Sequence, residues 1–188
     1  MPPSAGVAPP RSHRLRRTSA RADLGPIARY EIRARFRAPL PFVFRWCTDY
    51  ASDDGRRAQE PYERRVLERT ARRVVLEDLE STDHGWAWKR TTVTLDPPDH
   101  WRGESVGNYR WFRLDYRLRP LQDGTTELRL RGDRRATALG GRNPSRTALE
   151  RELVDLWARL GRSLEQDYRA EARRGVRQEG RGRPTVPG

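Results

Sequence analysis

The residues best equipped for chemistry lie in one short run, Trp86-Ala87-Trp88-Lys89-Arg90. Successive side chains of a strand point to opposite faces, so Trp86, Trp88 and Arg90 share one side. Turned inward, that side sets two indoles beside a guanidinium: a wall for a flat apolar body and a clamp for a carboxylate or phosphate. Turned outward, it becomes two surface-covering indoles and a solvated Arg, and Ala87, Val93 and Leu95 form the inner face instead. Trp101, Phe112 and Tyr116 belong to the same candidate wall, with ordinary core packing as the alternative use of each ring.

Nothing in the sequence assembles a catalytic centre, and no catalytic residue is assigned. His13, His84 and His100 have no partner at a metal-ligand spacing, and neither a Gly-rich phosphate loop nor a nucleophile elbow occurs. No metal and no cofactor is therefore expected. Cys47 stands alone, which excludes an internal disulfide and a Cys-based zinc site. Lying between Trp46 and Thr48 in a helical stretch, it reads as an inert buried thiol, because a reactive one needs an exposed electropositive setting. Arg113 and Asp115 fall on the polar side of an alternating stretch and read as an exposed ion pair.

These groups are carried by 188 residues, about one domain's worth. Charged residues make up 35% and apolar residues 35%, against roughly 25% charged in average chains. The core must be modest and the surface very polar. No run approaches ~18 consecutive apolar residues, so no membrane span is expected. The net charge of +13 is concentrated at the ends. Residues 1–26 hold five Arg and one Asp, residues 169–188 six Arg and two acids, and the stretch between them 28 basic and 23 acidic residues. Ends so rich in Pro, Gly and Arg cannot bury enough apolar surface to fold alone. Tails over 1–26 and 173–188 are thus expected to be disordered, flanking a single domain over 27–172. Such tails would give salt-dependent affinity for polyanions, while no recognition helix or RNA-binding motif supports specific nucleic-acid binding. Arg16-Arg17 opens no export signal, since no apolar segment follows, and a cytoplasmic location is the expectation.

The elements that position these residues announce themselves by period. Tyr30, Ile32, Ala34 and Phe36 alternate with Arg and Glu, as in a strand with one buried face. Pro39 and Pro41 end it, and Pro41 suits the first turn of a short helix reaching about Cys47. Thr48 to Pro61 reads as a polar loop or a second short helix. Six strands in a meander follow, around Arg65–Glu68, Val74–Leu76, Trp86–Leu95, His100–Val106, Tyr109–Leu118 and Leu128–Leu130, the last after the Gln122-Asp123-Gly124 turn. Asn143 and Pro144 predict the start of a long helix. Along it Leu149, Leu153, Leu156, Trp157, Leu160, Leu164 and Tyr168 form one apolar stripe, whose available partner is the inner face of the sheet.

Taken in that order, the chain resembles the START-like superfamily (SRPBCC, helix-grip fold), including polyketide cyclase/dehydrase-like and lipid-transfer proteins. The resemblance covers about residues 27–172. It rests on the opening strand, Ala38-Pro39-Leu40-Pro41-Phe42-Val43-Phe44, Thr48-Asp49, Leu95-Asp96-Pro97-Pro98, Tyr116, Pro120, Asp123-Gly124-Thr125-Thr126 and the closing helix. It implies an α+β domain in which a curved antiparallel sheet of about seven strands wraps around a long C-terminal helix. One or two short helices follow the first strand, and an apolar cavity lies between sheet and helix. Trp157, between Leu153 and Leu160, should then face both the core and the cavity, opposite Phe112 and Tyr116. The expected lining is thus Trp86, Trp88, Arg90, Trp101, Phe112, Tyr116, Leu153, Trp157 and Leu160. The expected function is binding, transport or sequestration of a small hydrophobic or aromatic molecule. Two alternatives stand beside it: cyclase- or aromatase-like catalysis in the same cavity, and polyanion association through the tails.

Overall fold

A computed structural model describes residues 26–60, 62–82, 85–137 and 144–181, with side chains described as far as 174. The elements are β1 (Ala28–Phe36), α1 (Leu40–Thr48), α2 (Asp54–Ala58), β2 (Tyr62–Arg69), β3 (Arg73–Thr82), β4 (Gly85–Asp96), β5 (His100–Gly107), β6 (Arg110–Pro120), β7 (Thr126–Ala136) and α3 (Arg146–Arg181). The strands form one seven-stranded antiparallel sheet in the order β1-β7-β6-β5-β4-β3-β2. The meander runs from β2 to β7, and β1 joins its far side. The sheet curves around α3 without closing, which is the helix-grip architecture, and β1 and β2 are its edges.

Alternation places the core. On β7 Thr126, Leu128, Leu130, Gly132, Arg134 and Ala136 are all buried while their neighbours are not. Across the ladder, Ile32 of β1 stands opposite Leu130 and Tyr30 opposite Gly132. Only glycine fits at 132, because a Cβ there would lie 2.2 Å from Cζ of Tyr30. The Tyr30 ring therefore crosses β7 at the one position without a side chain.

Helix α3 starts at Ser145, whose Oγ accepts the Ala148 N–H at 3.2 Å while its carbonyl accepts the Leu149 N–H at 3.0 Å. That serine is the N-cap. Pro144 stands just before it rather than in the first turn, and Asn143 lies outside the described residues. The stripe then packs on the sheet, with Leu149, Trp157 and Leu164 buried. α3 also covers the free side of β1. Glu150 accepts the Glu31 N–H at 3.3 Å and Glu165 the Arg37 N–H at 2.9 Å, which occupies donors of an edge otherwise open to pairing. The helix continues to Arg181, past the Ala172 at which the sequence reading ends the domain. The rest of the two expected tails, residues 1–25 and 182–188, lies outside the described residues. Among the described residues no helix is long and apolar enough to cross a membrane.

Candidate ligand cavity

Between the concave face of the sheet and α3 lies a cavity of about 450 Å³. Ligand pockets of small molecules span roughly 300–1,000 Å³, so this one is large enough to hold a molecule of several rings. Strand registers explain its walls. One inward row crosses Leu95, Trp101, Tyr116, Leu130 and Ile32. A second crosses Leu76, Thr91, Ser105, Phe112 and Arg134. Trp46, Cys47 and Tyr50 close one side from α1 and the turn after it, and Leu153, Leu156, Trp157 and Leu160 of α3 close the top.

The first row makes an aromatic wall. Trp101 stacks on Tyr116 with centroids 4.7 Å apart and planes 7° from parallel. Tyr116 meets Trp157 edge-on at 6.0 Å, and Trp157 touches Phe36 of the core at 6.0 Å. Burial holds the Tyr116 hydroxyl well above the usual phenol range. The Tyr50 hydroxyl is raised too, by burial first and then by Cys47. Both remain neutral donors at ordinary pH. Burial likewise pushes the Cys47 thiol up, with Asp49 and Asp54 adding to it, so no thiolate forms near neutrality.

Two polar patches break this apolar surface. On the β2–β3–β4 side Arg64 grips Asp78 with two nitrogens, at 2.8 and 3.0 Å, and also contacts Asp54. Lys89 Nζ lies 3.3 Å from the same Asp78 carboxylate. Two cations therefore face two carboxylates. Burial pushes the Asp54 carboxyl up to about 6; Arg64 and Arg57 oppose the rise, while Asp49 and Asp53 add to it. Farther along the sheet Arg110 and Arg134 also line the cavity, both with Nε buried and without a hydrogen-bond partner, and Arg110 borders a smaller hollow together with Asp78 and Lys89.

The structure brings Trp101, Phe112, Tyr116, Leu153, Trp157 and Leu160 together around the cavity. Trp86, Trp88 and Arg90 are not there. They lie on the outer face, Trp86 63% and Trp88 37% exposed, with Arg90 bonded to Glu77 at 2.6 Å. Burying that face would have taken Arg90, Thr92 and Thr94 out of water and exposed Val93 and Leu95, so β4 turns Ala87, Lys89, Thr91, Val93 and Leu95 inward. Arg113 and Asp115 also face outward but do not pair with each other. Arg113 lies 3.7 Å from Glu104, while Asp115 bonds His100 Nε2 at 3.0 Å and lies 3.5 Å from Arg117. His100 is thus tied into the sheet, and His13 and His84 lie outside the described residues. The residues that sequence reasoning missed include the inward charges Asp54, Arg64, Asp78, Lys89, Arg110 and Arg134. A signal existed for several: Asp78 follows Leu76 by two positions, Arg110 precedes Phe112 by two, and Arg134 continues the Leu128, Leu130 alternation. Among the described residues no cluster of three His, Cys, Asp or Glu is placed to hold a metal.

No protein-family model matches the chain, and no curated protein matches it in sequence. Solved structures match it in fold. The di-domain ARO/CYC StfQ from the steffimycin biosynthetic pathway superposes with a TM-score of 0.56 at 19% identity, covering 77% of this chain and 46% of that one. This chain thus spans about half the length of StfQ. The Zhui aromatase/cyclase from Streptomyces sp. R1128 matches at 0.52 and 17% identity, over 82% of this chain and 99% of that one. A START superfamily protein from Mycobacterium smegmatis matches at 0.55 and 13% identity, over 76% and 97% of the two chains. At these identities the likeness is one of fold. The chain has the helix-grip fold that these structures share.

Proposed function

We propose that this helix-grip domain takes up a small, largely aromatic or hydrophobic molecule between its sheet and α3. The observation that carries the reading is the hollow of about 450 Å³ walled by Trp101, Tyr116 and Trp157. Protein interiors pack like organic crystals and keep few voids larger than a water molecule. A hollow of this size lined by stacked rings is space kept for a guest. The likeness in fold to a START superfamily protein and to an aromatase/cyclase supports the same reading. Native mass spectrometry of freshly expressed protein is expected to show a co-purified small molecule, or an empty cavity that naphthalene derivatives fill. A native-state ligand at a hundred times its Kd stabilises by about 2.7 kcal/mol, which a thermal melt reads directly. Protein that purifies empty and melts at an unchanged temperature with every such compound would sink the reading.

A second reading, cyclase-like catalysis in the same space, is favoured by Asp54. A cavity-facing carboxyl with a pKa of about 6 is poised as acid or base near neutrality, and the neutral Tyr50 and Tyr116 hydroxyls supply donors for a developing oxyanion. This reading predicts turnover of a poly-β-ketone mimic, with a limb of the pH–rate profile near 6 that Asp54→Asn removes. Recovery of the bound compound unchanged would leave binding alone.

A further inference from the structure

We propose that Arg134 and Arg110 form an anion subsite at the end of the cavity under the first turns of α3, so that the guest is an amphiphile with an oxyanion head, a carboxylate or phosphate, on a ring-bearing body. The proposal rests on the reading that the cavity holds a ligand, and it adds the chemical class. Arg134 sits on β7 directly opposite Phe112 of β6, and Arg110 lies two residues before Phe112. The two are therefore diagonal neighbours on one face of an antiparallel pair, within reach of a shared partner. Both line the cavity.

The Arg134 side chain is only 7% exposed. A guanidinium so far from water is ordinarily held by a carboxylate, as Arg64 is held by Asp78 in the same cavity. Arg134 has no such hold. Its Nε has no hydrogen-bond partner, and its nearest carboxylate, Glu152, stands 4.0 Å away with a side chain 58% exposed. Phe112 supports the guanidinium from 5.8 Å without neutralising it. Arg110 adds a second buried Nε with no partner. Burial, and then the neighbouring Arg110, pull the Arg134 guanidinium below its ordinary pKa; Glu152, Tyr30 and Tyr109 oppose this. The two cations destabilise each other, and an oxyanion between them would relieve both. The aromatic wall lies farther along the sheet, with Tyr116 on the same strand as Arg110 and Trp101 on the neighbouring β5, where the body of such a molecule would lie.

Calorimetric titration with three probes on one ring system separates head from body: 1-naphthaleneacetate, 1-naphthyl phosphate and the uncharged 1-naphthaleneethanol. The two anions are expected to bind at least tenfold tighter than the alcohol, the tighter anion identifying the head group. Arg134→Gln should bring the anions down to the alcohol's affinity and leave the alcohol's own affinity unchanged. Arg110→Gln, at a half-buried position, tests the same site where the more buried substitution impairs folding. The exposed Arg113→Gln should change nothing. Equal binding of all three probes would overturn the subsite, as would an equal loss in Arg113→Gln, which would assign the preference to overall charge. Failure of all three to bind would instead overturn the cavity reading on which the subsite rests.

Discussion

Asp54 is the group in which burial and charge oppose each other most openly. Its carboxyl is raised from 3.8 to about 6 because the loss of water outweighs the pull of Arg64 and Arg57. The folded protein therefore holds that proton more tightly than the unfolded chain does. Sign follows from this: between 3.8 and about 6 the native state binds more protons, so its stability falls as pH rises through that window and is flat above it. At 1.36 kcal/mol per unit, the loss is about 3 kcal/mol at most. Urea unfolding of the wild type and of Asp54→Asn at pH 4 and pH 7 is expected to show the wild type losing about 1–3 kcal/mol relative to the variant between the two conditions. A difference independent of pH would mean that Asp54 is solvated like any surface carboxylate. The same inversion of ordinary behaviour marks Arg134, a cation that the fold buries without a carboxylate hold.

The pairing of β1 with β7 depends on Gly132 as much as on its hydrogen bonds. Tyr30 is 5% exposed, and its ring occupies the place where a side chain at 132 would stand. Gly132→Ala should force the ring aside and cost about 1–3 kcal/mol, the usual range for overpacking. Combining it with Tyr30→Ala should recover part of that loss, and chemical denaturation of the four proteins measures the coupling directly. Additive losses would show that Tyr30 and Gly132 do not meet. The elements themselves were legible in the sequence because their signals are local: alternation on β1, β6 and β7, prolines after β1, a Gly turn before β7, and the α3 stripe. The orientation of β4 was not. Trp86-x-Trp88 and Ala87…Leu95 each make an acceptable inner face by composition, and what decides is the register that sets Leu95 beside Trp101 and Val93 beside Val74. That register is non-local. The charged lining residues were missed for a related reason, since a strand's inward row is read from apolar types and Asp78, Lys89 and Arg134 continue the row with charges.

Charge over the whole molecule is distributed in a way that separates two possible kinds of partner. On the outer face of the sheet the acids are engaged by arginines: Glu31 with Arg129 and Arg131 at 2.7 and 2.9 Å, Glu77 with Arg90 at 2.6 Å, and Glu127 with Arg119 at 3.1 Å. Such a surface is mixed in sign and exerts little net pull on a polyanion beyond a Debye length, about 8 Å at physiological salt. The residues outside 27–168 differ: five Arg against one Asp in 1–26, and six Arg against two acids in 169–188. Attraction to a polyanion should therefore reside in the ends of the chain, and attraction to a ring-bearing anion in the cavity. Full-length protein is expected to be retained on heparin at low salt, with affinity falling linearly in log–log terms as salt rises. A chain lacking 1–26 and 173–188 should elute much earlier, yet bind 1-naphthaleneacetate as before, because Arg110, Arg134 and the aromatic wall all lie within the domain. Undiminished heparin retention after both deletions would place the polyanion surface on the sheet itself, where Arg113 and Arg135 lie 5.5 and 5.8 Å from the Trp111 ring.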